Sequence, residues 1–116
     1  MTTQGGGGSG REPGAGTHSS PEDIASRMEE FRRRIDLLDT ELVRLLNARA
    51  ACALEIGRLK DEVGIPMYQP GREVDVHRHV QGINGGPLDG GAIKRLFERI
   101  IDENRRLERP SKGEDT

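Results

Sequence analysis

Between Ser20 and Val63 apolar residues recur in steps of four and three: Ile24, Met28, Phe31, Ile35, Leu38, Leu42 and Leu45, then Cys52, Ile56, Leu59 and Val63. Steps of this kind put the apolar side chains on one stripe of a long helix that packs on other helices. The stripe has one exception. Where the pattern asks for an apolar residue between Leu45 and Cys52, the chain carries Arg49. A guanidinium on a buried stripe is costly unless something anionic meets it. Arg49 is therefore the first candidate for a functional side chain.

The flanking residues set the limits of this helix. Ser20 can accept from the backbone N–H of residue 22 or 23, Pro21 suits the first helical position, and Glu22 and Asp23 sit at the positive end of the dipole. At the other end Gly64 suits a left-handed cap and Pro66 blocks continuation, so the helix ends near Glu62. After the short connection Met67-Tyr68-Gln69, Pro70 opens a second helix carrying Val76, Val80 and Ile83. Asn84-Gly85-Gly86-Pro87 breaks the chain, and Asp89 can cap a third helix with a seam of Ile93, Leu96/Phe97, Ile100/Ile101, Asn104 and Leu107. The expected fold is all-α, with a long, a short and a medium helix.

Size decides how such helices can be covered. A first helix of about 43 residues would be ~65 Å long at 1.5 Å per residue. The chain has only 116 residues, with no Trp, one Tyr and two Phe. The rest cannot cover that rod, which points to an intertwined helical homodimer. Residues 1–19 are mostly Gly, Ser, Thr and Pro with almost nothing to bury and read as a disordered tail, as does the polar stretch 110–116; residues 20–109 form the expected domain. The run of four glycines at 5–8 is not a phosphate loop, since no GxxxxGK[ST] follows it.

Charge and cysteine usage narrow the partners. A net charge of −2 argues against nucleic acid, which needs a basic surface. No window approaches the ~20 apolar residues of a membrane span, and the Gly-rich start lacks the apolar core of a secretory signal. The single Cys52 excludes a disulfide framework and reads as a small buried hydrophobe. A reducing cytoplasm is the expected compartment.

Polar side chains recur beside the apolar stripes. Arg49 and Lys60 are eleven residues apart, about three turns, and share a face. Arg32 lies 28 residues before Lys60, roughly 42 Å along a straight helix, so it can serve only a site in a partner chain. Gln69, Arg72 and Glu73 cluster at the start of the second helix. Asn104 interrupts the third seam, with Glu108 one turn on. This set holds cations, amides and two acids, with no nucleophile–base pair and no metal cluster. Arg34, Arg44, Arg95 and Arg99 read as solvated surface charges, and His77 and His79, two residues apart, point to different faces. A buried Asn such as Asn104 can also simply set helix register.

Three separated blocks carry a resemblance: RRRIDLLDTELVRLLNARAACALEIGRLK (32–60), GIPMYQPGRE (64–73) and IKRLFERIIDENRRLE (93–108). Together they resemble the all-helical class of chorismate mutases, in its monofunctional form, across roughly Glu29 to Arg109. The resemblance implies an intertwined homodimer with two equivalent pockets, each converting chorismate to prephenate by a pericyclic rearrangement without a cofactor. It implies that Arg32 reaches across the dimer to one substrate carboxylate and Arg49 clamps the other. Lys60 would bond a carboxylate and the ether oxygen, and Arg72 and Glu73 would form the second-helix pair, Glu73 accepting from the ring hydroxyl. Asn104 stands where many members have Ser, and Glu108 where many have Gln facing the ether oxygen.

A dianionic substrate accounts for several cations in an acidic chain. Two departures bear on turnover: the family's common Asp is Gln69 here, and Asn104 is larger than Ser. Glu108 must carry a proton to act as a donor. Substrates sharing the dicarboxylate clamp stay open: isochorismate for a pyruvate-lyase, or the amino analogue of chorismate for its own mutase. A non-catalytic helical dimerisation module is the alternative from another class, and a mutase needing a partner enzyme is a third. With no sequence left for a regulatory domain, feedback control by aromatic amino acids is not expected.

Overall fold

The structure, a computed structural model, describes residues 19–66 and 69–108. The two tails expected at 1–19 and 110–116 lie outside these residues apart from Ser19, and so do Met67 and Tyr68 of the first connection. Three helices follow in order: α1 (Pro21–Val63), α2 (Pro70–Ile83) and α3 (Gly90–Glu108). Among the described residues there is no strand, and Val74–His77, whose alternation could mimic one, is helical.

Capping chemistry explains where each helix begins and ends. The backbone N–H of Asp23 donates to Ser20 Oγ at 3.1 Å, with Glu22 and Asp23 in the first turn. At the end of α1, Gly64 takes a positive φ of 73° and the Ile65 N–H reaches back to the Lys60 carbonyl at 2.9 Å. This is the six-to-one bond of a Schellman ending, and it stops the helix at Val63, one residue beyond the expected end. Pro70 occupies the first turn of α2. Asp89 Oδ1 accepts from the Ala92 N–H at 2.8 Å and starts α3.

The chain divides into two compact units, residues 1–41 and 42–116, with the boundary inside α1. The described part of the first unit is a single helical segment. Its stripe is open to solvent: Ile24, Met28, Phe31, Ile35 and Leu38 are all exposed.

In the second unit α2 packs on α3. The turn between them is tied by side chains: Asn84 Nδ2 donates to the Leu88 carbonyl at 2.8 Å, and Gln81 Nε2 donates to the Gly90 carbonyl at 2.7 Å. Buried Val76 and Val80 supply the apolar face of α2. On the α1 side the buried residues are Ala53 and Gly57. Cys52, expected in the core, is exposed, as are Ile56, Leu59 and Val63. Ala53 and Gly57 share the face of α1 that meets α3, where a Cβ on Gly57 would lie 3.3 Å from Glu108 Cγ, and the seam residues Cys52, Ile56, Leu59 and Val63 lie beside that face.

Candidate active site

Within the second unit the three helices surround a pocket of about 230 Å³, small for a ligand site. Seven of the eight residues singled out from sequence line it: Arg49 and Lys60 from α1, Gln69 and the first turn of α2 with Arg72 and Glu73, and Asn104 and Glu108 from α3. Cys52, Ala53, Ile56, Val76 and Ile101 give apolar wall, which lowers the local dielectric and strengthens every charge interaction inside. Arg32 is not among the lining residues. It belongs to the first unit, is largely exposed, and lies 3.9 Å from Glu29 on its own helix.

Local structure explains how these side chains are presented. Arg49, Ala53 and Gly57 follow one another at intervals of four on α1, so the guanidinium shares the face that approaches α3. It donates through Nη1 to Asn104 Oδ1. Asn104 is the buried polar side chain of the second unit's core, and this bond offsets the cost of burying it. Gln69 is the N-cap of α2, but its side chain makes no capping bond and lines the pocket instead. The cap position is served by its carbonyl, which accepts from the Arg72 N–H at 3.0 Å. Glu108 is set against Gly57, whose missing side chain makes room for it.

Electrostatics mark Arg49 apart. Burial, and then the like charge of Arg72, hold its pKa below the ordinary arginine value, while Glu108 pulls the other way. An arginine remains cationic at neutral pH despite such a shift. A guanidinium under this strain gains from an anionic ligand, which would replace lost hydration and screen it from Arg72.

One pocket residue escaped the sequence reading. Arg105 also lines the cavity and forms an ion pair with Glu73 across α2 and α3. Its signal was its place four residues after Ile101, on the pocket side of α3. Arg99, by contrast, is exposed as expected and pairs with Glu103 at 2.6 Å. His77 is half-buried rather than on the surface, its Nδ1 enclosed by the packing of α2. Among the described residues no three His, Cys, Asp or Glu side chains gather as a metal site.

An all-helical chain whose pocket is faced by several cations and two carboxyls is a protein built to hold a small polyanion. The family model described as chorismate mutase type II matches residues 31–109. A bifunctional chorismate mutase/prephenate dehydratase of Neisseria gonorrhoeae is 44% identical over 79 residues, covering 68% of this chain and 21% of that protein. The chain thus spans about a fifth of that relative's length. Among solved structures, a chorismate mutase from Thermus thermophilus is 34% identical with a TM-score of 0.71, covering 73% of this chain and 97% of that one. A Helicobacter pylori chorismate mutase in complex with prephenate is 30% identical with a TM-score of 0.66, covering 72% of this chain and 90% of that one. The chain belongs to the type II chorismate mutase family.

Proposed function

We propose that the chain is a chorismate mutase, an isomerase rearranging chorismate to prephenate on the route to phenylalanine and tyrosine. What chiefly supports this reading is that Arg49, Lys60 and Arg72, from two different helices, line one pocket in a chain of this family. Chorismate carries two carboxylates, and separate cations can hold it folded with the enolpyruvyl carbon over the ring. That is an orientation task, the kind that supplies much of the barrier lowering in intramolecular reactions.

The chemistry needs no electrons or atoms from outside. One C–O bond of the ether breaks as one C–C bond forms, and negative charge gathers on the ether oxygen in between. In our reading Arg49 clamps a carboxylate, with Asn104 holding its guanidinium in place. Lys60 bonds a carboxylate and the ether oxygen, and Glu108 donates to that oxygen from the other side. Fixed donors aimed at developing charge typically contribute ~10²–10³ each. Glu73 accepts from the ring hydroxyl, and Arg72 and Gln69 complete the polar lining contributed by the start of α2.

The same reading includes a second copy of the chain. The open stripe from Ile24 to Leu38 supports it, because contiguous apolar surface of this extent marks an interaction face. In the intertwined homodimer Arg32 would serve the other copy's pocket. Among the described residues no helix is long and apolar enough to cross a membrane, and we place the enzyme in the cytoplasm.

The test is incubation of the purified protein with chorismate, following the fall of its ultraviolet absorbance and identifying the product. Prephenate is the expected product. Release of pyruvate from isochorismate, or turnover of the amino analogue alone, would move the assignment to those reactions. Inertness toward all three would leave a helical dimerisation module.

A further inference from the structure

Arg105 is a pocket cation without a role in the reaction just proposed. It follows Asn104 directly, and the two neighbours act on different helices: Asn104 accepts from Arg49 of α1, while Arg105 pairs with Glu73 of α2. The Arg105 and Glu73 side chains are alike in burial, 32% and 31% exposed, and both line the cavity. Arg105 Nη1 also lies 3.5 Å from Asp102, one turn earlier on α3, which steadies the guanidinium from behind.

We propose that Arg105 is a positioning residue for the mutase reaction, holding the Glu73 carboxylate at the pocket wall and cancelling its charge. The inference rests on the mutase reading, because it concerns how a dianion is received. A bare carboxylate on the wall would repel both carboxylates of the substrate, and the partly desolvated site strengthens that repulsion. A carboxylate has about four lone-pair positions, so pairing with Arg105 leaves acceptor capacity for a substrate hydroxyl. The charged groups facing this pair are Arg49 and Lys60 from α1, Arg72 from α2 and Glu108 from α3. With Arg105 among them, four cations line the site, one of them paired with Glu73 and three left to meet a substrate of charge −2.

Kinetics on chorismate with the parent, Arg105→Gln, Arg105→Lys, Glu73→Gln and the Glu73→Gln/Arg105→Gln double variant test this. Helicity and melting temperature are recorded for each. Arg105→Gln is expected to raise KM about tenfold, within the range over which contacting charged pairs couple. Arg105→Lys should recover most of that loss. The double variant should be no worse than Glu73→Gln alone, because no charge remains to cancel. It also keeps the comparison readable where Arg105→Gln alone loosens α2 from α3. An unchanged KM in Arg105→Gln, with or without an earlier melt, overturns the proposal and leaves Arg105 a clip between helices. So does a double variant whose losses multiply. A parent that does not consume chorismate removes the mutase reading and this inference together, whereas an active parent with an indifferent Arg105→Gln removes the inference alone.

Discussion

The two halves of α1 carry the same apolar spacing, largely exposed in both, but their charged side chains meet different fates. In the first unit, Ile24, Met28, Phe31, Ile35 and Leu38 stand open, and the neighbouring charges stay on the same helix, as with Arg32 and Glu29. In the second, Arg49 and Glu73 are tied to residues of another helix by Asn104 and Arg105. Heptad spacing alone therefore does not tell which half of the helix carries a built site. A polar side chain with a partner on another helix marks a built site, and an apolar one without cover marks a face awaiting a partner.

The sharpest way to break this contrast is to remove the tied cation. Arg49→Ala should lower kcat/KM on chorismate by about 10²–10³ while circular dichroism stays helical. Near-parent turnover would strip Arg49 of its assigned role. Next in size is the open stripe. Ile35→Glu puts a charge on the proposed interface and should convert the dimer to monomer by analytical ultracentrifugation, with activity falling alongside. A monomeric parent, or an unaltered dimer in the variant, would refute the proposed second copy.

A subtler probe concerns Glu108, whose carboxyl can donate to an ether oxygen only while protonated. Glu108→Gln sets a permanent donor of the same shape at that place and should keep or raise kcat/KM on chorismate. Loss of turnover in Glu108→Gln ends this account of Glu108. The smallest effect expected is at the helix start. Ser20→Ala removes the acceptor for the Asp23 N–H and should cost about 1 kcal/mol in denaturant titration, with kcat unchanged.

Much of this was legible because local chemistry decides it. Ser20, Pro70 and Asp89 open their helices as capping rules require, and Gly64 with its positive φ closes α1. The break in the apolar spacing pointed to Arg49, and the cavity gathers it with six other residues chosen from sequence. What escaped depended on contacts between helices. Arg105 looks like any arginine on a charged helix until Glu73 is set opposite it. Cys52 and Ala53 are neighbours in sequence, and only the packing of α1 on α3 shows that the face of Ala53 and Gly57 is the buried one.

Gly57 has a further consequence, for how such a site could change over time. Asn104, Arg105 and Glu108 ride on one helix, and that helix meets α1 where Glu108 lies against the bare Cα of Gly57. A single methyl there would sit 3.3 Å from Glu108 Cγ, so α3 or the glutamate would have to yield by a few tenths of an ångström. Position 57 thus acts on the cavity through the seat of Glu108, whereas substitutions among the lining residues act on its wall directly. A lineage exploring bulkier substrates on this scaffold would find replacements at 57 and 108 arriving as a pair.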